Sequence, residues 1–271
     1  MRLGLILGLA LMALCAANGA PDAQQSRCVF PRADEVNPSV SATVVKNGGR
    51  FDYSYSVTVL ADSPKPVSQF AVAASSTDNT PTLLAPLNWL SVISPIGYYA
   101  WGVRRQAQGI SRGSSLSGFR VTTSEPPGIV RFLARNRTER PTFPRGEAPE
   151  TCENAGIVDN SFKGSTVGPQ APPSESSVDL VNHLISLLDE SRRLHWIATP
   201  GAHQDLLARL EATKRTLASG DTATARGALQ TFLDEVSARS CPAQACPGSQ
   251  PINSSAYAVL FFNAQALLRR L

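Results

Sequence analysis

Cysteine supplies the most definite chemistry in this sequence, because its placement suits two disulfide bonds. Cys15 belongs to an apolar N-terminal run, which leaves Cys28, Cys152, Cys241 and Cys246. An even number of cysteines in an oxidising compartment indicates disulfides, and four cysteines allow three pairings. Cys241 and Cys246 share a turn-rich loop and can form a local bridge, so we predict that Cys28 pairs with Cys152. A zinc site is disfavoured because it needs two close cysteine pairs, and only Cys241 and Cys246 are close in sequence.

The other reactive residue types do not form a catalytic motif. His183 and His195 are too far apart to share one helix face, and His203 falls on the next predicted helix. The segment 113–118 contains serines between glycines, but it lacks the Gly-x-Ser-x-Gly spacing of a nucleophile elbow. We therefore predict no catalytic residue, no cofactor and no metal ion.

A hydrolase is the alternative, and it requires carboxylates that converge in a pocket. The candidates are Asp52, Asp62, Asp78 and Glu125, which are scattered along predicted strands and turns. Nothing in their spacing brings them together.

Two groups of residues could form a binding surface. Tyr99 and Trp101 lie at alternate positions of a predicted strand and therefore share one face. Core packing is the first interpretation of these rings, and stacking on a sugar or a protein partner is the alternative. Arg131, Arg135 and Arg137 begin a loose basic run, which suits either a solvated edge or a patch for anionic partners.

The net charge of +4 on 271 residues is close to neutral. A balance of this kind offers no electrostatic reason to expect nucleic-acid binding, which needs a strongly basic face.

The N-terminus has the order of a secretory signal peptide. Arg2 is followed by an apolar run over residues 3–14 and then by small residues, which predicts a signal peptide over residues 1–19. The run is too short to span a bilayer, and no other stretch resembles a transmembrane segment. We expect a secreted, periplasmic or extracellular protein. Ordinary cleavage is favoured over lipid attachment at Cys15, because a small residue normally precedes a lipid-modified cysteine and here that residue is Leu14.

Alternating apolar residues predict a β-sandwich domain over residues 28–162. The clearest strand is 51–59, where large apolar residues alternate with small polar ones. Further strands are predicted at 40–45, 67–73, 98–103, 115–122 and 129–135. Gly and Pro clusters separate these short strands, which is typical of an antiparallel β-sandwich.

Helical periodicity replaces the alternation after a polar stretch. Residues 163–177 have few groups to bury and are predicted to be a flexible linker. Residues 178–271 predict about four helices in a small bundle. Ser176, Thr199, Asp221 and Asn253 or Ser254 are the predicted N-caps, and Gly220 is predicted to end the second helix. The chain is therefore predicted to be a multidomain protein, all-β and then all-α.

Four blocks of the helical part resemble the FIMAH domain, a helical module at the C-terminus of many exported bacterial proteins. The blocks are 206–212, 225–229, 232–238 and 252–260. Their order and spacing agree with that family, although residues 241–248 lengthen a loop that its members keep short. The resemblance implies a helical bundle and an exported bacterial protein, and it carries no catalytic residues. Residues 116–119 and 127–129 resemble uncharacterised secreted β-sandwich domains.

The functional hypothesis is a non-catalytic binding or interaction protein of the cell envelope or extracellular space. Its partner would be a protein or a glycan, and the sequence leaves the oligomeric state open. The alternative is an envelope-associated hydrolase with an unrecognised carboxylate site.

Overall fold

Period-two alternation of apolar residues produces two antiparallel sheets in this protein. The structure is a computed structural model, and it describes residues 32–74, 80–105, 108–136, 158–172, 176–240 and 250–271. A β-sandwich followed by four helices is present in these residues, as predicted. The strands are β1 (Pro38–Asn47), β2 (Arg50–Val59), β3 (Gln69–Ala73), β4 (Thr82–Leu84), β5 (Trp89–Ser94), β6 (Tyr98–Val103), β7 (Ser115–Thr123), β8 (Pro127–Arg135) and β9 (Phe162–Pro169).

The strands are divided between two sheets, each with its own strand order. The first sheet has the order β1-β2-β7-β4, and the second has the order β5-β6-β3-β8-β9. All neighbouring strands are antiparallel. The orders β1-β2-β7-β4 and β3-β8-β9 are those of the ABED and CFG sheets of immunoglobulin-type sandwiches, and β5 and β6 extend the second sheet.

An aromatic cluster joins the two sheets. The ring of Phe70 on β3 stacks on Trp101 with centroids 5.5 Å apart and meets Phe119 of the opposite sheet edge-on at 5.3 Å. Tyr55 on β2 completes the cluster at 5.9 Å from Phe70. Trp101 Nε1 also donates a 2.8 Å hydrogen bond to the carbonyl of Leu84, which ties β4 to the second sheet.

The prediction of a flexible linker over residues 163–177 is wrong for its first half. Strand β9 occupies Phe162–Pro169 and pairs with β8 along its length. A Cβ added at Gly164 would overlap the ring of Phe132, and one added at Gly168 would lie 2.5 Å from Val130 Cγ2. The strand looks featureless in the sequence because side chains of its neighbours fill the space beside its glycines.

Gly168→Ala is therefore expected to destabilise the protein by about 1–3 kcal/mol, because the new methyl group must displace Val130 and Val72. Gly227→Ala is the matched control. Gly227 lies in a helix with nothing within 4 Å of an added Cβ, so its replacement should stabilise the protein by about 0.5–1 kcal/mol. Urea unfolding measures both changes, and equal midpoints for the two variants would contradict the packing of β9.

Four helices follow the sandwich, and their capping residues are those predicted. The helices are α1 (Ser177–Arg193), α2 (Pro200–Ala218), α3 (Thr222–Ala238) and α4 (Ser254–Leu268). The side chains of their N-caps accept backbone N–H groups in the first turn; these residues are Ser176, Thr199, Asp221 and Asn253. Gly220, which follows the C-cap Ser219 of α2, has φ +80°, and a left-handed residue at this position ends the helix. None of the described helices has the length and hydropathy needed to cross a membrane.

Helix α4 packs against the sandwich as well as against the other helices. Phe262 meets Phe51 of β2 edge-on with centroids 5.4 Å apart. The amide of Asn263 donates 2.7 Å hydrogen bonds to the carbonyls of Pro127 and Val259, and the hydroxyl of Ser254 donates to a carbonyl of β1. The predicted sandwich and bundle are therefore joined by a buried interface.

We expect Phe262→Ala to lower the free energy of unfolding by about 3–5 kcal/mol, because the cavity lies between α4 and the sandwich. Phe261→Ala should cost less, since Phe261 is only partly buried. Thermal unfolding followed in the far and near ultraviolet should show both parts of the Phe262 variant melting together at a lower temperature. An unchanged melting temperature of the sandwich would contradict this coupling.

Candidate functional site

The outer face of the second sheet carries a groove of about 520 Å³. Small residues form its floor on the adjacent strands β3 and β6, where Ala71 pairs with Ala100 and Gly102 lies one row further along β6. Larger side chains stand on both sides: Leu90 and Val92 of β5 on one, and residues of β8 on the other. We call this feature the β5 groove. It exists because Ala71, Ala100 and Gly102 leave space on the outer face of β3 and β6 between larger side chains of β5 and β8.

The lining of the β5 groove is mainly apolar. Polar groups lie at its margins, and they include Gln69, Ser94 and Ser161. Arg135 is the charged residue among the described residues of the lining. Leu90 and Val92 remain 52% and 59% exposed, so one wall is open to solvent.

The aromatic pair predicted as a possible binding surface lies on the opposite face of the same strand. Tyr99 and Trp101 are each 1% exposed and belong to the core, so their rings cannot stack on a ligand. The surface interpretation is wrong for both residues, and the core interpretation is confirmed. Tyr98 points outward and lines the β5 groove instead.

The core environment also explains the chemistry of the neighbouring phenol. Burial raises the pKa of Tyr55 well above its ordinary value, with a smaller contribution from Tyr99. The Tyr55 hydroxyl has no hydrogen-bond partner among the described residues. A buried phenol of this kind stays neutral and serves packing.

Two of the predicted arginines, Arg131 and Arg135, lie on the outer face of β8. Arg131 is exposed, and Arg135 is half-buried in the lining of the β5 groove. The structure therefore places two of the predicted surface residues on the groove-bearing face of the second sheet. Arg137 lies outside the described residues, as do Cys28, Cys152, Cys241 and Cys246, so their predicted roles stay predictions.

The carboxylates of the hydrolase alternative occupy separate places. Asp52 accepts a 2.6 Å hydrogen bond from Thr122, Asp62 accepts one from Asn37 at 3.1 Å, and Glu125 is buried between β7 and β8. Asp78 lies outside the described residues. Among the residues described, no three His, Cys, Asp or Glu side chains are grouped to hold a metal ion.

The histidines are also dispersed in the helical part. His203 Nε2 lies 2.8 Å from Asp189 Oδ1, which links α2 to α1. Burial lowers the pKa of His183 on α1. These contacts are structural, and no histidine lines the β5 groove.

Sequence reasoning missed the residues that shape the groove. Strand β5 escaped detection because Trp89, Leu90, Val92 and Ile93 do not alternate with polar residues. One signal was available: no charged residue occurs from Asn79 to Val103. A long uncharged segment in a turn-rich domain is unusual for a solvated surface.

Comparison of the sequence with known protein families and with curated proteins finds no match. The resemblance of the helical part to the FIMAH domain therefore stays an expectation. The β5 groove and the surface around it are the features of the molecule that indicate a function.

Trp101→Ala should destabilise the sandwich by about 3–5 kcal/mol, because it opens a cavity at the centre of the aromatic cluster. Tyr98→Ala, on the outer face of the same strand, should cost markedly less. Chemical unfolding of the two variants measures the difference. Similar losses of stability would show that Tyr98 also has a core role.

Proposed function

We propose that this chain is an exported, non-catalytic binding protein that holds an extended apolar segment of a partner protein in the β5 groove. The observation that carries the proposal is the groove itself: a floor of Ala71, Ala100 and Gly102 beside the exposed wall of Leu90 and Val92. A volume of about 520 Å³ lies within the range of natural ligand sites, roughly 300–1,000 Å³.

The spacing of the groove suits an extended peptide. One cross-strand row runs from Val92 through Ala100 and Ala71, and the next runs from Leu90 through Gly102 and Gln69. Successive rows are two residues apart along each strand. Alternate side chains of an extended peptide have the same spacing, so two of them could lie over adjacent rows.

A protein segment fits this lining better than a glycan does. The floor offers apolar contact and few donors, so sugar hydroxyls placed there would lose hydrogen bonds to water without replacement. The polar groups at the margin, such as Gln69 and Ser94, supply donors and acceptors for the backbone of a peptide. Tyr99 and Trp101 are buried, so the predicted aromatic pair cannot stack on a sugar.

Export is the second part of the proposal, and it is supported by the signal-peptide pattern of residues 1–19. Two disulfides, Cys28–Cys152 and Cys241–Cys246, belong to the same proposal because an exported chain matures in an oxidising compartment. The FIMAH-like blocks agree with it. N-terminal sequencing of exported protein would identify the cleavage site, and a diacylated Cys15 would contradict simple secretion.

Binding can be tested with a fluorescein-labelled peptide in which leucine alternates with serine, flanked by lysines for solubility. We expect a saturable rise in fluorescence anisotropy. Ala71→Leu or Ala100→Leu should weaken binding by about tenfold or more, equivalent to about 1.4 kcal/mol, because the new side chain fills the groove floor. Ala223→Leu on the exposed face of α3 is the matched control and should leave the affinity unchanged.

Three results would contradict the proposal. The first is the absence of saturable binding by the wild-type protein. The second is binding that survives both floor variants but weakens as salt rises and in Arg131→Ala, which would assign the ligand to the arginines. The third is cleavage of the peptide, detected by mass spectrometry, which would favour the hydrolase alternative.

A further inference from the structure

Among the described residues, four strands form the edges of the two sheets, and three of them are protected. Helix α4 contacts β1 and β9, which also contact each other, so one flank of the sandwich is covered. On the other flank, β4 is only three residues long. Short length is one of the devices that keep an edge strand from pairing with another chain. Strand β5 is six residues long and contains neither a charged residue nor a proline.

Exposed apolar side chains are concentrated beside this unprotected edge. Seven large hydrophobic residues are exposed among the described residues, and five of them lie between Leu84 and Ile93. Leu87, in the turn before β5, is 89% exposed, and Ile93 at its far end is 52% exposed. No charge occurs within this segment. The combination of an open edge and an uncharged apolar rim is typical of a protein interface.

We propose that β5 is a dimerisation edge, where a second copy of this chain adds its own β5 in antiparallel pairing across a two-fold axis. An edge strand directs alternate backbone N–H and C=O groups away from its sheet, and an identical antiparallel strand can satisfy them. The two second sheets then form one continuous sheet.

The sequence of β5 is complementary to itself in one register. In antiparallel pairing, the two residues opposite each other lie on the same face of the sheet. When the two strands are identical and related by a two-fold axis, the residue numbers of each opposing pair therefore differ by an even number. With Ser91 at the axis, Leu90 of one copy faces Val92 of the other, and Trp89 faces Ile93. Every apolar side chain of the strand then has an apolar partner, and Ser91 faces Ser91. Centring on Val92 would instead oppose Leu90 to Ser94 and Ile93 to Ser91.

This self-complementarity is the reason to assign the edge to a second copy. Neither side of the pair carries a charge that would repel its identical partner. A six-residue edge is about 20 Å long, so the interface belongs to the small class, below the standard size of about 1,600 Å². The dimer must therefore be sought over a series of protein concentrations.

The dimer would also bring the two β5 grooves side by side. Leu90 and Val92 form one wall of each groove, and in the proposed register these residues meet at the axis. A continuous apolar surface would then cross the two copies. Dimerisation does not depend on the proposed peptide binding, because the floor residues Ala71 and Ala100 take no part in the strand pairing.

Sedimentation velocity of the mature full chain at about 1–200 µM, the concentrations at which small interfaces associate, tests the dimer. We expect the wild-type protein to shift from monomer to dimer across this range. Ser91→Lys should remain a monomer, because it places two like charges opposite each other at the axis. Ser41→Lys is the matched control: an exposed serine on β1, the edge strand of the other sheet, which should leave the dimer intact.

Cross-linking tests the register. Ser91→Cys should form a disulfide-linked dimer under mild oxidation, because residues at the axis have Cα atoms about 4.5–5.5 Å apart. Ser41→Cys and the wild-type chain should give no comparable band on a non-reducing gel. A wild-type monomer at every concentration would overturn the proposal, and so would a dimer that survives Ser91→Lys or fails to cross-link through Ser91→Cys. Peptide binding is measured separately on the groove-floor variants, so failure of one proposal is distinguishable from failure of the other.

Discussion

The aromatic cluster between the two sheets is the contact on which the rest of this structure depends. Phe70, Trp101, Phe119 and Tyr55 come from four different strands and two sheets, and each ring lies in the core. Burying these rings decides which way each of the four strands faces, because successive side chains of a strand point to opposite sides. The outer face of β6 is therefore left with Tyr98, while large rings occupy its inner face.

The β5 groove follows from that constraint. Because Tyr99 and Trp101 of β6 face the core, Ala100 and Gly102 of the same strand face outward. On the neighbouring strand β3, Ala71 lies beside Ala100 on this outer face. Small residues on two adjacent central strands leave a depression wherever the flanking strands keep larger side chains. The same separation of large and small residues operates on β9, where glycines face Phe132 and Val130, although there the space is filled.

The helices complete the division of the sandwich into a covered and an open flank. Helix α4 packs against β1, β8 and β9, so the edges on its side are sealed, and its Phe262 and Asn263 contact β2 and β8. The flank that carries β4 and β5 has no such cover among the described elements, and it holds most of the exposed apolar side chains. Both functional proposals involve β5 on this flank, where the fold leaves apolar side chains in contact with water.

Local signals in the sequence determined the class of fold and many element boundaries. Alternation identified six of the strands, and capping residues such as Thr199 and Asp221 marked helix starts, because both signals depend on neighbours along the chain. The tertiary structure decided what long-range packing controls. Strand β9 forms because side chains of neighbouring strands pack against its glycines. The opposing sheet determines which face of β6 is buried. Arg135 lines a groove whose floor residues are distant from it in sequence. Spacing alone cannot distinguish the two faces of a strand when both carry apolar residues, because only the opposing sheet shows which face loses its contact with water.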